Sequence, residues 1–97
     1  MESAICLSIR ERRILRFSYD GGPRTVESYC HGMSSAGNEV LLAYQTEGFS
    51  RSGKPVGWRL FQTVKMQDVE VTDRNFKPDR PEYNPDDKRI GSVHCCI

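Results

Sequence analysis

Hydrophobic and polar positions follow a helical period at the start of the chain and a period of two through most of the rest. From Glu2 to about Ile14, Ile5 and Ile9 recur on one face while Arg10 and Glu11 take the other. This spacing predicts a helix with Ser3 as its N-cap. Leu15, Phe17 and Tyr19 then alternate with Arg16, Ser18 and Asp20, the pattern of a half-buried strand. Asp20-Gly21-Gly22-Pro23 reads as a turn, and Arg24 to about Cys30 as a second strand.

Met33 to Asn38 is small and polar, a loop. Glu39 to Gln45 is apolar at nearly every position, as expected of a strand covered on both faces. Glu47 to Gly57 is a long connection rich in Gly, Ser and Lys, and long loops in small domains are more often functional than idle. Trp58 to Thr72 is too long for one ordinary strand and predicts two strands or one sharply bent strand. On one parity lie Trp58, Leu60, Val64 and Met66. The other parity carries Arg59, Phe61, Thr63 and Lys65, which puts two cations on one face with a ring between them. After Phe76 the chain turns polar and proline-rich, with Pro78, Pro81 and Pro85, and Ser92 to Ile97 reads as a last short edge strand. The expected organisation is one small β-rich domain over residues 1–76, followed by an irregular, proline-rich extension over 77–97.

Composition adds limits. The chain has 97 residues, 37% hydrophobic and 28% charged, which fits one globular domain with a single core. No apolar run approaches the ~20 residues that span a bilayer. The opening MESAICLSIRERR lacks the basic start and apolar stretch of a secretion signal, so the expected compartment is the cytoplasm. In that setting Cys6, Cys30, Cys95 and Cys96 are expected as free thiols. His31 and His94 with these cysteines form the alternative of a zinc site. No C-x-x-C or H-x-x-x-H spacing supports it, so no metal and no cofactor are expected.

Net charge is +1, but it is unevenly spread. Arg51, Lys54, Arg59 and Lys65 are four bases in a window without an acid, whereas Met66 to Asp87 holds seven acids against three bases. Such local fields can steer an anion although the total is near zero.

The succession Ile5 to Arg13, Leu15 to Tyr19, Arg24-Thr25-Val26-Glu27, Gly37 to Tyr44, Arg59 to Met66 and Phe76 resembles the WYL-like domain family over roughly residues 4 to 76. The Trp-Tyr-Leu triplet that names the family is replaced by Val40-Leu41-Leu42, and Gln62 and Val64 stand where an Arg and an Asp are frequent. The resemblance implies a small SH3/Sm-like barrel behind one N-terminal helix. It also implies a ligand-sensing role, often tied to phage defence, with Arg and aromatic residues on the binding face. Carried over by position, the ligand-binding residues are Arg24, Arg59 and Lys65, with Phe61 and Tyr44 nearby and Arg51 closing from the long loop.

A guanidinium grips phosphate as a planar fork, and a ring offers a stacking platform worth ~1–3 kcal/mol per base. The expected partner is therefore a nucleotide-like ligand or nucleic acid. The competing reading is a protein-interaction module, self-assembling or bound to a separate effector protein through open sheet edges. An enzyme is not expected, since neither histidine belongs to a recognisable constellation with Ser, Cys or metal.

Overall fold

The structure, a computed structural model, describes residues 3–50 and 53–97. Its helix α1 (Ala4–Arg10) is opened by Ser3, whose hydroxyl accepts from the Cys6 amide at 3.1 Å. The helix ends four residues before the expected limit. Arg12 takes a left-handed conformation (φ 56°) and its guanidinium donates to the carbonyl of Ile9 at 2.6 Å, closing the helix end. Ile14 consequently belongs to a strand.

Six antiparallel strands form one sheet: β1 (Arg13–Tyr19), β2 (Gly22–Ser34), β3 (Glu39–Gly48), β4 (Gly57–Gln62), β5 (Gln67–Asn75) and β6 (Ile90–Cys96). Their order is β4-β3-β2-β1-β5, with β6 also on β2. The protein is thus mainly β with one short helix. Asp20 and Gly21 join β1 to β2 as a two-residue loop, both at positive φ, the geometry that matches the twist of hairpin strands. Between β4 and β5 a 3-10 turn over Thr63–Lys65 breaks the run from Trp58 to Thr72 into two strands. The strand parity expected to carry Val64 inward stops at this turn, and Val64 is 86% exposed.

β2 is the long member. Its first half lies between β1 (Leu15 opposite Val26) and β3, its second between β3 and β6 (Cys30 opposite Cys96). In its ladder with β3, Tyr29 is an extra residue of β2 between Ser28 and Cys30 and bends the strand, while Thr46 is the extra residue of β3 opposite Thr25 and Val26. At Gly32 the β6 backbone at Ser92 approaches so closely that a Cβ has no room.

Two apolar clusters occupy the two sides of the sheet. Ile9, Leu15, Phe17, Val26, Leu41, Ala43 and Phe61 make the first, with Ile5 of α1 packed against it. Ile14, Tyr29 and Phe76 make the second, joined by Tyr44, Trp58 and Tyr83. Tyr83 belongs to the segment after Phe76, which lies over this second side. The Trp58 indole donates to the carbonyl of Pro81 at 3.1 Å, and Arg80 grips the buried Glu27 carboxylate with two bonds of 2.8 and 3.0 Å. That pairing raises the Arg80 pKa. Burial raises the pKa of Tyr29, whose hydroxyl accepts from the Arg80 amide.

The cysteines are not free thiols. Cys6 bonds Cys95 and Cys30 bonds Cys96, so two neighbours on β6 are tied to α1 and to β2 respectively. Sequence distance concealed this, since the pairs lie 89 and 66 residues apart and only the return of β6 to β2 brings them together. Among the described residues no helix is long and apolar enough to cross a membrane.

Arg80→Ala should cost ~1–3 kcal/mol in urea denaturation, below the usual figure for breaking a buried pair because the Arg80 side chain is 35% exposed. Arg80→Lys should recover only part, lacking the two-pronged grip. A loss under ~0.5 kcal/mol for the alanine variant would show that the C-terminal segment is not held through Glu27.

Candidate anion-binding site

Arg24 follows the β1–β2 turn, opposite Phe17, at the end of the first apolar cluster. A cation at such a position must replace its water with something. Here three rings surround the guanidinium, those of Tyr19 (5.5 Å), Phe49 (5.3 Å) and Phe61 (5.7 Å), within the range of cation–π attraction. Its Nη1 donates to Gln45 Oε1 at 3.1 Å and its Nη2 to the carbonyl of Tyr19 at 3.3 Å, while the buried Nε has no partner. Arg24 is 5% exposed. Burial lowers its pKa, Asp20 pulls it back up, and Arg59 lowers it further. Among the described residues no carboxylate lies within ion-pair distance of Arg24, so its positive charge is screened only by dipoles, rings and the more distant Asp20.

Gln45, fully buried on β3, completes the arrangement. It accepts from Arg24 and donates to the carbonyl of Phe49 at 2.9 Å, fastening the loop after β3 over the β1–β2 turn. Phe49 also donates its amide to Pro23 and seats its ring where a Cβ on Gly22 would stand. Phe49 as a residue remains 40% exposed.

Arg59 approaches from β4. Tyr19, Asp20, Arg24, Ser50, Arg59, Leu60 and Phe61 line one open pocket of about 230 Å³. The Arg59 guanidinium donates to Ser50 Oγ at 3.3 Å, to its neighbour's carbonyl at Trp58 (3.0 Å) and to the carbonyl of Lys54. A second pocket of about 600 Å³ adjoins across Tyr19 and Asp20, bounded by Gly21, Gly22, Pro23, Lys65 and Gln67. Tyr19 is the wall between the two, its hydroxyl accepting from the Gln62 amide at 3.0 Å.

Of the sequence-expected residues, Arg24, Arg59 and Phe61 therefore meet at one pocket, and Lys65 borders the next. Phe61 is a core residue, 2% exposed, edge-on to Phe17 and Tyr19, so it presents no free stacking face. Arg59 and Lys65 do not share a strand face, because β4 ends at Gln62 and the 3-10 turn carries Lys65 across to the β1–β2 turn. Tyr44 belongs to the opposite side of the sheet, with its ring 4.3 Å from the Arg80 guanidinium and edge-on to Trp58. Arg51 lies outside the described residues. Tyr19, Gln45 and Phe49 were not legible as site residues. Tyr19 looked like one more apolar strand position, Gln45 like the polar end of a strand, and only the lone aromatic in the polar loop marked Phe49.

No family model, curated protein or solved structure matches this chain.

Gln45→Leu should cost ~1–3 kcal/mol, because it strands Arg24 Nη1 and the Phe49 carbonyl together. Urea denaturation at constant m-value measures this, and an unchanged midpoint would mean that the loop is not held through Gln45.

Proposed function

We propose that this protein is a non-enzymatic binding module that takes a phosphate-bearing, nucleotide-like ligand over the β1–β2 turn, between Arg59 on one side and Lys65 on the other. The observation that carries the proposal is the buried Arg24, a cation with no ion-pair partner among the described residues, set behind a pocket that Arg59 and Asp20 also line. A buried positive charge costs folding energy and gives no ion pair in return, and strain of this kind is concentrated at sites that bind. The first pocket, about 230 Å³, is below the usual size for an enclosed organic ligand, so it suits one phosphate group. Phe49, a residue 40% exposed, and the neighbouring pocket at Lys65 offer a base and sugar somewhere to lie.

The same proposal extends to architecture. A strand order of β4-β3-β2-β1-β5 behind an N-terminal helix is compatible with a small SH3/Sm-like barrel, here open between β4 and β5, and the WYL-like kinship rests on the sequence resemblance. A regulatory or phage-defence role follows from that kinship alone, whereas the cytoplasmic setting rests on the sequence itself and not on kinship. A second reading, assembly with another copy or a separate effector protein, is favoured by β4, β5 and β6 each having a partner on one side only.

Fluorescence anisotropy with a labelled short oligonucleotide, and calorimetry with mono- and cyclic nucleotides, test the anion reading. Arg59→Ala should weaken binding at least about tenfold, near 1.4 kcal/mol. Arg59→Ala with Lys65→Ala should remove binding while the protein stays folded, with a melting temperature lowered by only a few degrees (about 2–6 °C) for the lost loop hydrogen bonds of Arg59. For an oligonucleotide, log affinity should fall against log salt with a slope of about −2 if three cations meet phosphates. Unchanged affinity in the double variant would overturn the site. Salt-independent self-association seen by light scattering would favour the assembly reading instead.

A further inference from the structure

At the other end of β2 from Arg24, three elements bring sulfur and nitrogen together. Cys6 from α1 and Cys95 from β6 each place Sγ 3.6 Å from Nδ1 of His31 on β2. These three donor atoms lie within 4.8 Å of one another. A zinc ion bound tetrahedrally at ~2.3 Å to sulfur and ~2.0 Å to nitrogen sets its sulfur and nitrogen ligands ~3.6 Å apart. The two sulfur–nitrogen spacings already have that value.

The imidazole is also prepared on its far side. Its Nε2 lies 2.5 Å from Glu39 Oε2, and an ionised carboxylate can only accept, so Nε2 carries the proton. In the neutral ring this leaves the Nδ1 lone pair facing the sulfurs. A carboxylate behind a histidine is the usual support of a metal-binding imidazole, fixing its tautomer and raising its basicity. His31 is 5% exposed and Glu39 is a partly exposed strand residue, so the nitrogen is buried and its support is reachable from solvent.

We propose that Cys6, Cys95 and His31 form a redox-gated site for a thiophilic divalent cation of the zinc class, with Glu39 as the positioning residue. In the oxidised chain the Cys6–Cys95 bond occupies both sulfurs and the site is shut. A dithiol opens it. The disulfide gains two electrons and two protons and becomes two thiols, while the dithiol loses them and becomes a disulfide. Binding the cation then releases two protons as both thiols become thiolates, and solvent fills the fourth position. Disulfide and metal compete for the same two sulfurs, so each excludes the other. Either link ties β6 to α1. His94, whose ring lies 5.1 Å from that of His31 and which is exposed, is not one of the three donors.

Cobalt(II) is the probe, because it takes zinc-class sites and absorbs through thiolate charge transfer. The full chain is reduced with excess dithiol, freed of it anaerobically, and titrated. One equivalent of cobalt should bind with charge-transfer and tetrahedral bands, zinc should displace it, and the oxidised chain should show neither. Cys30→Ser with Cys96→Ser should retain the bands, whereas Cys6→Ser with Cys95→Ser should lose them. Glu39→Gln should weaken affinity about 10- to 100-fold with the bands unshifted. Reduction that unfolds the chain, followed by refolding on added cobalt, also supports the site. Reduced protein that is folded but gives no thiolate–cobalt band overturns it. So do unfolded protein that metal fails to restore and bands that follow Cys30 and Cys96.

Discussion

One strand carries the architecture. β2 is buried along nearly its whole length: it pairs with β3 from Arg24 to Met33 and, on its other edge, with β1 up to Val26 and with β6 from Cys30 onward. A strand flanked in this way must satisfy its backbone within the sheet and its side chains against both faces. That requirement explains Gly32, which admits β6, and the bulge at Tyr29, which re-aims side chains where β2 passes from β1 to β6. It also explains why polar β2 side chains are committed to particular partners: Arg24 to Gln45 and three rings, Glu27 to Arg80, His31 to Glu39.

Both chemical features of the molecule follow from this commitment. Arg24 and His31 are seven positions apart on one strand, both nearly buried, at its opposite ends. Arg24 holds its charge in a cage of rings and dipoles beside a cleft, which suits recognition of an anion by field and by the neighbouring Arg59. His31 instead faces sulfur, which suits a soft cation. The two sites need not communicate, yet they share the same strand and the same ladder with β3.

The C-terminal segment changes the account of stability. It is not a tail beside a finished domain: Arg80, Pro81 and Tyr83 cover the second face, and β6 is bonded to both α1 and β2. Cross-links closing such long loops restrict the unfolded chain and each stabilise by ~4–5 kcal/mol in the chain-entropy account. Without this segment Tyr29, Tyr44 and Trp58 would face water on the side opposite the first core.

Local pattern in the sequence determined the helix start at Ser3, the alternating first strand, the Asp20-Gly21 turn, the apolar third strand and the mainly β class. Each depends on residues within a few positions of one another, and period and capping chemistry are local signals. The break at Thr63–Lys65 and the early helix end at Arg10 were decided by where the chain had to turn to reach its sheet partners. The disulfides, the Glu27–Arg80 pair, the ring cage of Arg24 and the sulfur–imidazole cluster were decided by tertiary structure alone. Their members lie up to 89 residues apart, and no periodicity carries information over that distance until strands pair.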